Sequence, residues 1–166
     1  MVINGVHLLQ HAPIKDMADG KMVGKGGTSF GLGEAGYDIR IKQDVHFSMN
    51  FTGTMAVQVS GELVARGRFA LASAIEEFQM PGDLVGIVHD KSTWARRGLS
   101  VFNTVIEPGW KGFLTLELVY HGEDELIIPA GSGIAQVMYH KTSCTAFYDG
   151  KYQGQADHPV GAIDSK

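Results

Sequence analysis

The 166 residues, 44% apolar and 19% charged, are enough for one domain burying about two thirds of the surface its unfolded chain exposes. A formal charge of -4 gives no global attraction for a polynucleotide, though a local pocket for a small anion remains open. The single cysteine, Cys144, excludes an internal disulfide framework and a cysteine-based zinc site, and it fits a reducing compartment. The start, "MVINGVHLLQHAPIKDM", carries no basic leader and no small-residue cleavage site, and no long apolar run follows. A cytoplasmic protein with no membrane partner is therefore expected.

In chain order, Val2, Val6 and Leu9 are expected to form one face of a short helix that Pro13 ends. The glycine-rich stretch from Gly20 to Gly36 shows almost no periodicity and reads as a mobile loop or turn series at the surface, with a nucleotide-covering loop as the alternative. Short strand-like runs follow: "YDIRI", "MAVQVS", "ELVARGRFALASAI", "DLVGIVHD", "GLSVFN", "FLTLELVYH", "ELIIPAG" and "IAQVMYH". They are β-branched or alternating, and turn signals such as "MPGD", "EPGWKG" and "HGED" separate them. This pattern implies an all-β sandwich, jelly roll or barrel in a single domain, with no repeat and no linker. The closing segment, "AFYDGKYQGQADHPVGAIDSK", is polar and aperiodic and reads as a tail that orders on something else.

Two segments carry candidate chemistry. In "KSTWARRGL", Ser92 and Arg96 stand four residues apart, on one side of a helical turn. Lys91, Ser92 and Thr93 would offer an ammonium, hydroxyls and backbone N–H groups to a phosphate there. The plainer reading is that Ser92 caps a short helix while Arg96 and Arg97 sit in water. In "FLTLELV", Glu117 is a lone carboxylate in an apolar strand, and burying it without a partner would cost several kcal/mol. Alternation places Phe113, Thr115, Glu117 and Val119 on one face, with Leu114, Leu116, Leu118 and Tyr120 on the core face. Should Arg96 or Ser92 meet Glu117, the three hold what is needed to activate a water and to stabilise developing charge. A structural salt bridge is the alternative.

The run from Phe69 to Leu118 resembles the central half of the dCTP deaminase branch of the dUTPase-like superfamily. It contains "MPGDLVG", "KSTWARRGL" and "IEPGWKGFLTLE" in the family's order. "AGYDIR" at Ala35 to Arg40, "GSGIAQV" at Gly131 to Val137 and "YDGKYQGQ" at Tyr148 to Gln155 resemble further motifs of that family. The resemblance implies a distorted jelly-roll or β-barrel of the dUTPase-like type, assembled as a homotrimer with sites between subunits. It also implies zinc-independent deamination of dCTP to dUTP and ammonia. Glu117 would be the general base, Ser92 would orient the attacking water, and Arg96 would hold Glu117 and the tetrahedral intermediate. Lys91 and Thr93 would contact the triphosphate, and Gln136 the substrate. Tyr148, Lys151 and Gln155 would belong to a tail, residues 147–166, that closes over the phosphates of a neighbouring subunit's site. Glu107 stands where the family has an aspartate near the deoxyribose 3′-hydroxyl, and Asp38 falls in a motif that is structural in deaminases. Mg²⁺ would ride on the nucleotide through the triphosphate oxygens.

The chain departs from the family in a shorter hairpin between Gly98 and Glu107, and in glutamate for aspartate at Glu107. Both changes fall at the pyrimidine and sugar, so a modified pyrimidine joins dCTP and dUTP as a substrate to test. The competing readings are a dUTP pyrophosphatase, a bifunctional enzyme giving dUMP, and a catalytically idle nucleotide-binding regulator. Zinc deaminases carry "H-x-E" and "P-C-x-x-C", which one cysteine cannot supply. The seven histidines lack the "H-E-x-x-H" arrangement and are expected at the surface or satisfied in the core. Trp94 and Trp110 are expected as packing anchors.

Overall fold

The computed structural model describes residues 1–164, apart from the side chains of Ala65 and Arg66. The elements are β1 (Val2–Ile3), α1 (Gly5–His11), β2 (Lys21–Val23), β3 (Ser29–Leu32), β4 (Tyr37–Arg40), β5 (Val45–Met49), β6 (Met55–Val59) and β7 (Glu62–Arg66). There follow β8 (Phe69–Gln79), β9 (Leu84–Asp90), α2 (Ser92–Ala95), β10 (Leu99–Val101), β11 (Val105–Ile106), β12 (Lys111–Tyr120), β13 (Leu126–Ile128) and β14 (Gly133–Lys141).

The strands form three antiparallel sheets. One runs β11-β9-β14-β4-β3-β2 with β1 added to β14, a second runs β10-β12-β8, and a third runs β13-β5-β6-β7. Strand alternation explains how they stack. Ala70, Ala72, Ala74 and Phe78 of β8, Leu116 and Leu118 of β12, Phe47 of β5, Val57 of β6 and Val137 of β14 all enter one core. The result is an all-β, jelly-roll-like domain, as the strand pattern predicts.

The small three-stranded sheet positions the chemistry. Its core face carries Leu116, Leu118 and Tyr120, all buried, as alternation requires. Its other face carries Glu117 paired across from Leu71, Thr115 across from Ser73, and Val119 across from Phe69. The register shifts between Phe113 and Thr115, and beside this irregularity Leu114 is only partly buried, which corrects its assignment to the core face.

Four other expectations are corrected. At the N-terminus, Val2–Ile3 pairs with β14, and the helix buries Leu8 while Val6 stays 61% exposed, so the expected face is wrong. The stretch from Gly20 to Gly36 contains the antiparallel pair β2–β3; as a sheet edge with Met22 and Val23 exposed, it lacks the apolar period that reveals a strand. "ELVARGRFALASAI" is two strands, β7 and β8, and β5 joins the third sheet unannounced. The tail does not wait for another molecule: residues 148–160 pack on the 108–115 segment of their own chain. Its last residues, Ser165 and Lys166, lie outside the described residues.

Candidate functional site

Strand β12 carries Glu117 into a cavity of about 550 Å³ on the non-core face of the small sheet. Phe69 and Leu71 form one wall, residues 103–107 a second, and Trp110 with Leu114 the floor. The second wall exists because the chain leaves β10 after Val101 and crosses to β11, which pairs with β9 in the large sheet. Where it crosses, Phe102 N donates to Glu117 O at 2.9 Å. Asn103 Nδ2 donates to Thr115 O at 2.6 Å, and Asn103 Oδ1 accepts from Glu117 N at 3.2 Å. Burial raises the Glu117 pKa above the usual carboxylate value. Among the described residues no Lys or Arg lines the cavity; Glu107 is a second carboxylate lining it.

The tail supplies the lid of the cavity. Trp110 Nε1 donates to Tyr152 O at 2.7 Å, Tyr148 N to Pro108 O at 2.8 Å and Phe113 N to Gln155 O at 3.1 Å. Gly112, at φ 130°, allows this pairing, since a Cβ there would sit 2.6 Å from Gln155 N. Farther on, Val160 N donates to Thr115 Oγ1 at 3.0 Å, and Lys42 pairs with Asp157. Tyr148, Tyr152 and Gln155 thus line the same cavity as Glu107 and Glu117. Lys151 turns away and donates to Ile163 O.

Lys91 and Gln136 fall in a separate, buried polar cluster. Lys91 Nζ pairs with Asp38 Oδ2 and donates to Ser29 Oγ at 3.1 Å, and Gln136 Nε2 donates to Asp38 Oδ1 at 3.3 Å. The Lys91 and Asp38 side chains are 12% and 6% exposed. Gly133 lets the strands close here, because a Cβ would lie 1.8 Å from Ser29 O. The next residues form α2, a single turn pinned by Trp94, whose Nε1 donates to Gly133 O at 2.7 Å. Lys91, not Ser92, is its N-cap residue. Ser92, Thr93 and Arg96 are exposed.

Ser92 and Arg96 therefore do not line the Glu117 cavity within one chain, and no ion pair joins Arg96 to Glu117 among the described residues. The reason is topological. Leu99 pairs with Tyr120, and His121 N donates to Gly98 O at 2.7 Å, so α2 sits beyond the far end of β12 while Glu117 faces the middle of the strand. Sequence reading missed Asn103, whose only signal is one amide interrupting "SVFNTV". It also missed the Arg40–Glu76 pair, in which Glu76 Oε1 and Oε2 accept from Arg40 Nε and N, each at 2.8 Å.

Both tryptophans are buried anchors, and Phe78 and Trp110 meet in a tilted arrangement with ring centroids 6.0 Å apart. No histidine is buried. Among the described residues there is no group of three or more His, Cys, Asp or Glu arranged to hold a metal, and no helix is long and apolar enough to cross a membrane.

Comparison with known proteins agrees with this architecture. A family model described as dCTP deaminase-like matches residues 9–142. A dCTP deaminase of Campylobacter jejuni subsp. jejuni serotype O:6 is 37% identical over 150 residues, covering 80% of this chain and 81% of that protein. One from Nautilia profundicola is 33% identical over 161 residues, 87% of each. Native EIAV dUTPase shares the fold with a TM-score of 0.52 at 17% identity, over 86% of this chain and 93% of the other. The 2′-deoxycytidine 5′-triphosphate deaminase of Agrobacterium tumefaciens does so at 0.54 and 16%, over 85% and 48%. With most of its length matched by that family model, and with relatives above 30% identity along four fifths of the chain, the protein has a dUTPase-like fold and belongs to the dCTP deaminase-like family.

Proposed function

We propose that this protein deaminates dCTP to dUTP and ammonia, with Glu117 as general base. The observation that carries the reading is a half-buried carboxylate, raised in pKa and given no cation among the described residues, in the wall of a cavity with room for a nucleoside. A carboxylate so placed takes a proton from water near neutral pH. The hydroxide adds to C4 of cytosine, Glu117 passes its proton to the exocyclic nitrogen, and ammonia leaves as the new hydroxyl gives its proton to N3 and the C4 carbonyl forms. Among the described residues the lining carries two carboxylates and no Lys or Arg, so the nucleoside enters and the Mg²⁺-bearing triphosphate stays outside, where Thr93 of a neighbouring subunit would meet it.

Because Ser92 and Arg96 do not reach Glu117 in one chain, the complete site needs these residues from a neighbouring subunit of a homotrimer. There Ser92 orients the water and Arg96 stabilises the negative intermediate. The tail, residues 147–166, closes the site through Tyr148 and Gln155. A second reading, deamination coupled to dUTP hydrolysis, draws support from Glu107, whose carboxylate shares the cavity and could serve a second water. The test is purified protein with Mg²⁺ and dCTP, dUTP or a 5-substituted dCTP, measuring ammonia and separating dUTP from dUMP by charge. Ammonia with dUTP is expected. Pyrophosphate without ammonia overturns the reading in favour of dUTP hydrolysis, and tight binding without turnover overturns it in favour of a regulator.

A further inference from the structure

We propose that Asn103 is a positioning residue for Glu117, its amide acting as the strand neighbour that β10, which stops pairing at Val101, does not supply. This inference rests on the role given to Glu117 above.

Strand β10 pairs with β12 only from Leu99↔Tyr120 to Val101↔Leu118. Beyond Val101 the backbone turns away toward β11, and an ordinary ladder would leave the next groups of β12 unpaired on that side. The groups at stake are those on either side of the catalytic carboxylate. Phe102 N reaches Glu117 O, and the Asn103 side chain takes the other two, donating to Thr115 O and accepting from Glu117 N. Only a primary amide offers a donor and an acceptor side by side at this reach. The opposite rotamer of the amide would set NH₂ against N–H and oxygen against oxygen, so the contacts also fix its orientation.

Three hydrogen bonds thus bracket Glu117 within one turn of chain, and they tie the wall of the cavity to the base that faces into it. Thr115 is held at the same time by the tail, through Val160 N, so wall, base and lid meet at one point. Asn103 is itself half-buried and lines the cavity, yet both of its polar ends are spent on backbone.

The other titratable groups lining the cavity are Glu107 from the wall and Tyr148 and Tyr152 from the tail; β8 contributes only Phe69 and Leu71. All remain unchanged in an Asn103 variant, so a change in the Glu117 titration reports on Asn103. Asn103→Ala frees Thr115 O and Glu117 N, admits water and lets the Glu117 pKa fall toward its ordinary value. Asn103→Asp keeps the acceptor for Glu117 N but sets a carboxylate against Thr115 O, and its charge pushes the Glu117 pKa up.

The experiment combines kinetics and NMR on the full-length protein. Positioning errors near 1 Å cost about 100-fold, so Asn103→Ala should lose kcat on that order while KM moves about threefold or less. The acid limb of its pH–rate profile should shift down, and that of Asn103→Asp up. Carbon-13 titration of the glutamate carboxyls, with the Glu117 signal identified by its absence in Glu117→Gln, should show the same opposite shifts with no substrate present. Unshifted Glu117 titration in both variants, with folds intact by circular dichroism, overturns the proposal. Loss of activity with KM and kcat changed together and no shift does so as well. If the alanine variant does not fold, the aspartate variant carries the test alone. If the wild type releases no ammonia from dCTP, the functional reading fails while the titration arm still decides whether Asn103 sets Glu117.

Discussion

Glu76 and Glu117 lie on neighbouring strands of the same three-stranded sheet, and each is a carboxylate in a largely apolar strand. Glu76 faces the core with Ala72, Ala74 and Phe78, is 4% exposed, and has both oxygens engaged by Arg40. Glu117 faces the cavity and has no such partner among the described residues. Burial pushes both pKa values up, and only at Glu76 does an arginine push back. The buried acid Glu76 is neutralised by the chain itself, whereas Glu117, the acid proposed as the base, is left uncompensated among the described residues.

The largest effect should come from removing the uncompensated acid. Glu117→Gln keeps the size and polarity of the side chain but cannot take a proton, so turnover of dCTP should fall about 10³-fold, within the usual range for general acid–base catalysis. Nucleotide affinity should stay within a few fold, and the thermal midpoint should hold or rise. In the wild type the base must be ionised, so kcat/KM should collapse as pH falls through a value above the ordinary glutamate range. A profile flat through that window would remove Glu117 as the base. Glu76→Gln should leave the acid limb where it is.

Next in size are the self-compensated pairs. Lys91→Met leaves Asp38 buried without its cation and should destabilise the fold by about 3–5 kcal/mol in urea unfolding. The double variant with Asp38→Asn should recover much of that loss. If Lys91 instead served the triphosphate first, the single variant would raise KM for dCTP with little change in stability, and the double would not rescue it.

The division between the two acids also marks how far the sequence could be read. Strong alternation in "FLTLELVY" places Leu116, Leu118 and Tyr120 in the core and Glu117 off it, because a two-residue period has only one answer once one face is buried. The glycine-rich edge hairpin β2–β3 escaped because its side chains bury little, so nothing in their order records the pairing. Motifs identify Glu117, Tyr148 and Gln155, which do share a cavity. Spacing cannot show that Lys91 would be spent on Asp38, since that contact crosses 53 residues, nor that α2 would lie at the far end of β12. Asn103 was invisible because its role is to bond backbone, which leaves no pattern in residue type.

The finest contrast is between two adjacent glutamates, Glu76 and Glu77, which the sequence writes as an undifferentiated pair. They point to opposite faces of β8. Glu77 pairs with Lys15 at 2.7 Å, but the two side chains are 39% and 52% exposed, and such pairs contribute about 0–1 kcal/mol, screened by salt. Glu76→Ala strips two acceptors from Arg40, one of them serving a backbone N–H, and should cost roughly 3 kcal/mol. Lys15→Ala should cost about 0.5 kcal/mol or less, vanishing in high salt. The pH dependence separates them further. With its pKa raised above 4.5 by burial, Glu76 binds its proton more tightly in the folded chain than in the unfolded one. Its contribution is therefore greatest below the unfolded value and declines as pH rises through the folded one. Glu76→Gln should flatten that part of the stability profile, and Lys15→Ala should leave its shape unchanged. If the two variants gave equal losses, or if Glu76→Gln left the slope intact, the claim that this sheet sorts its acids by face would fail.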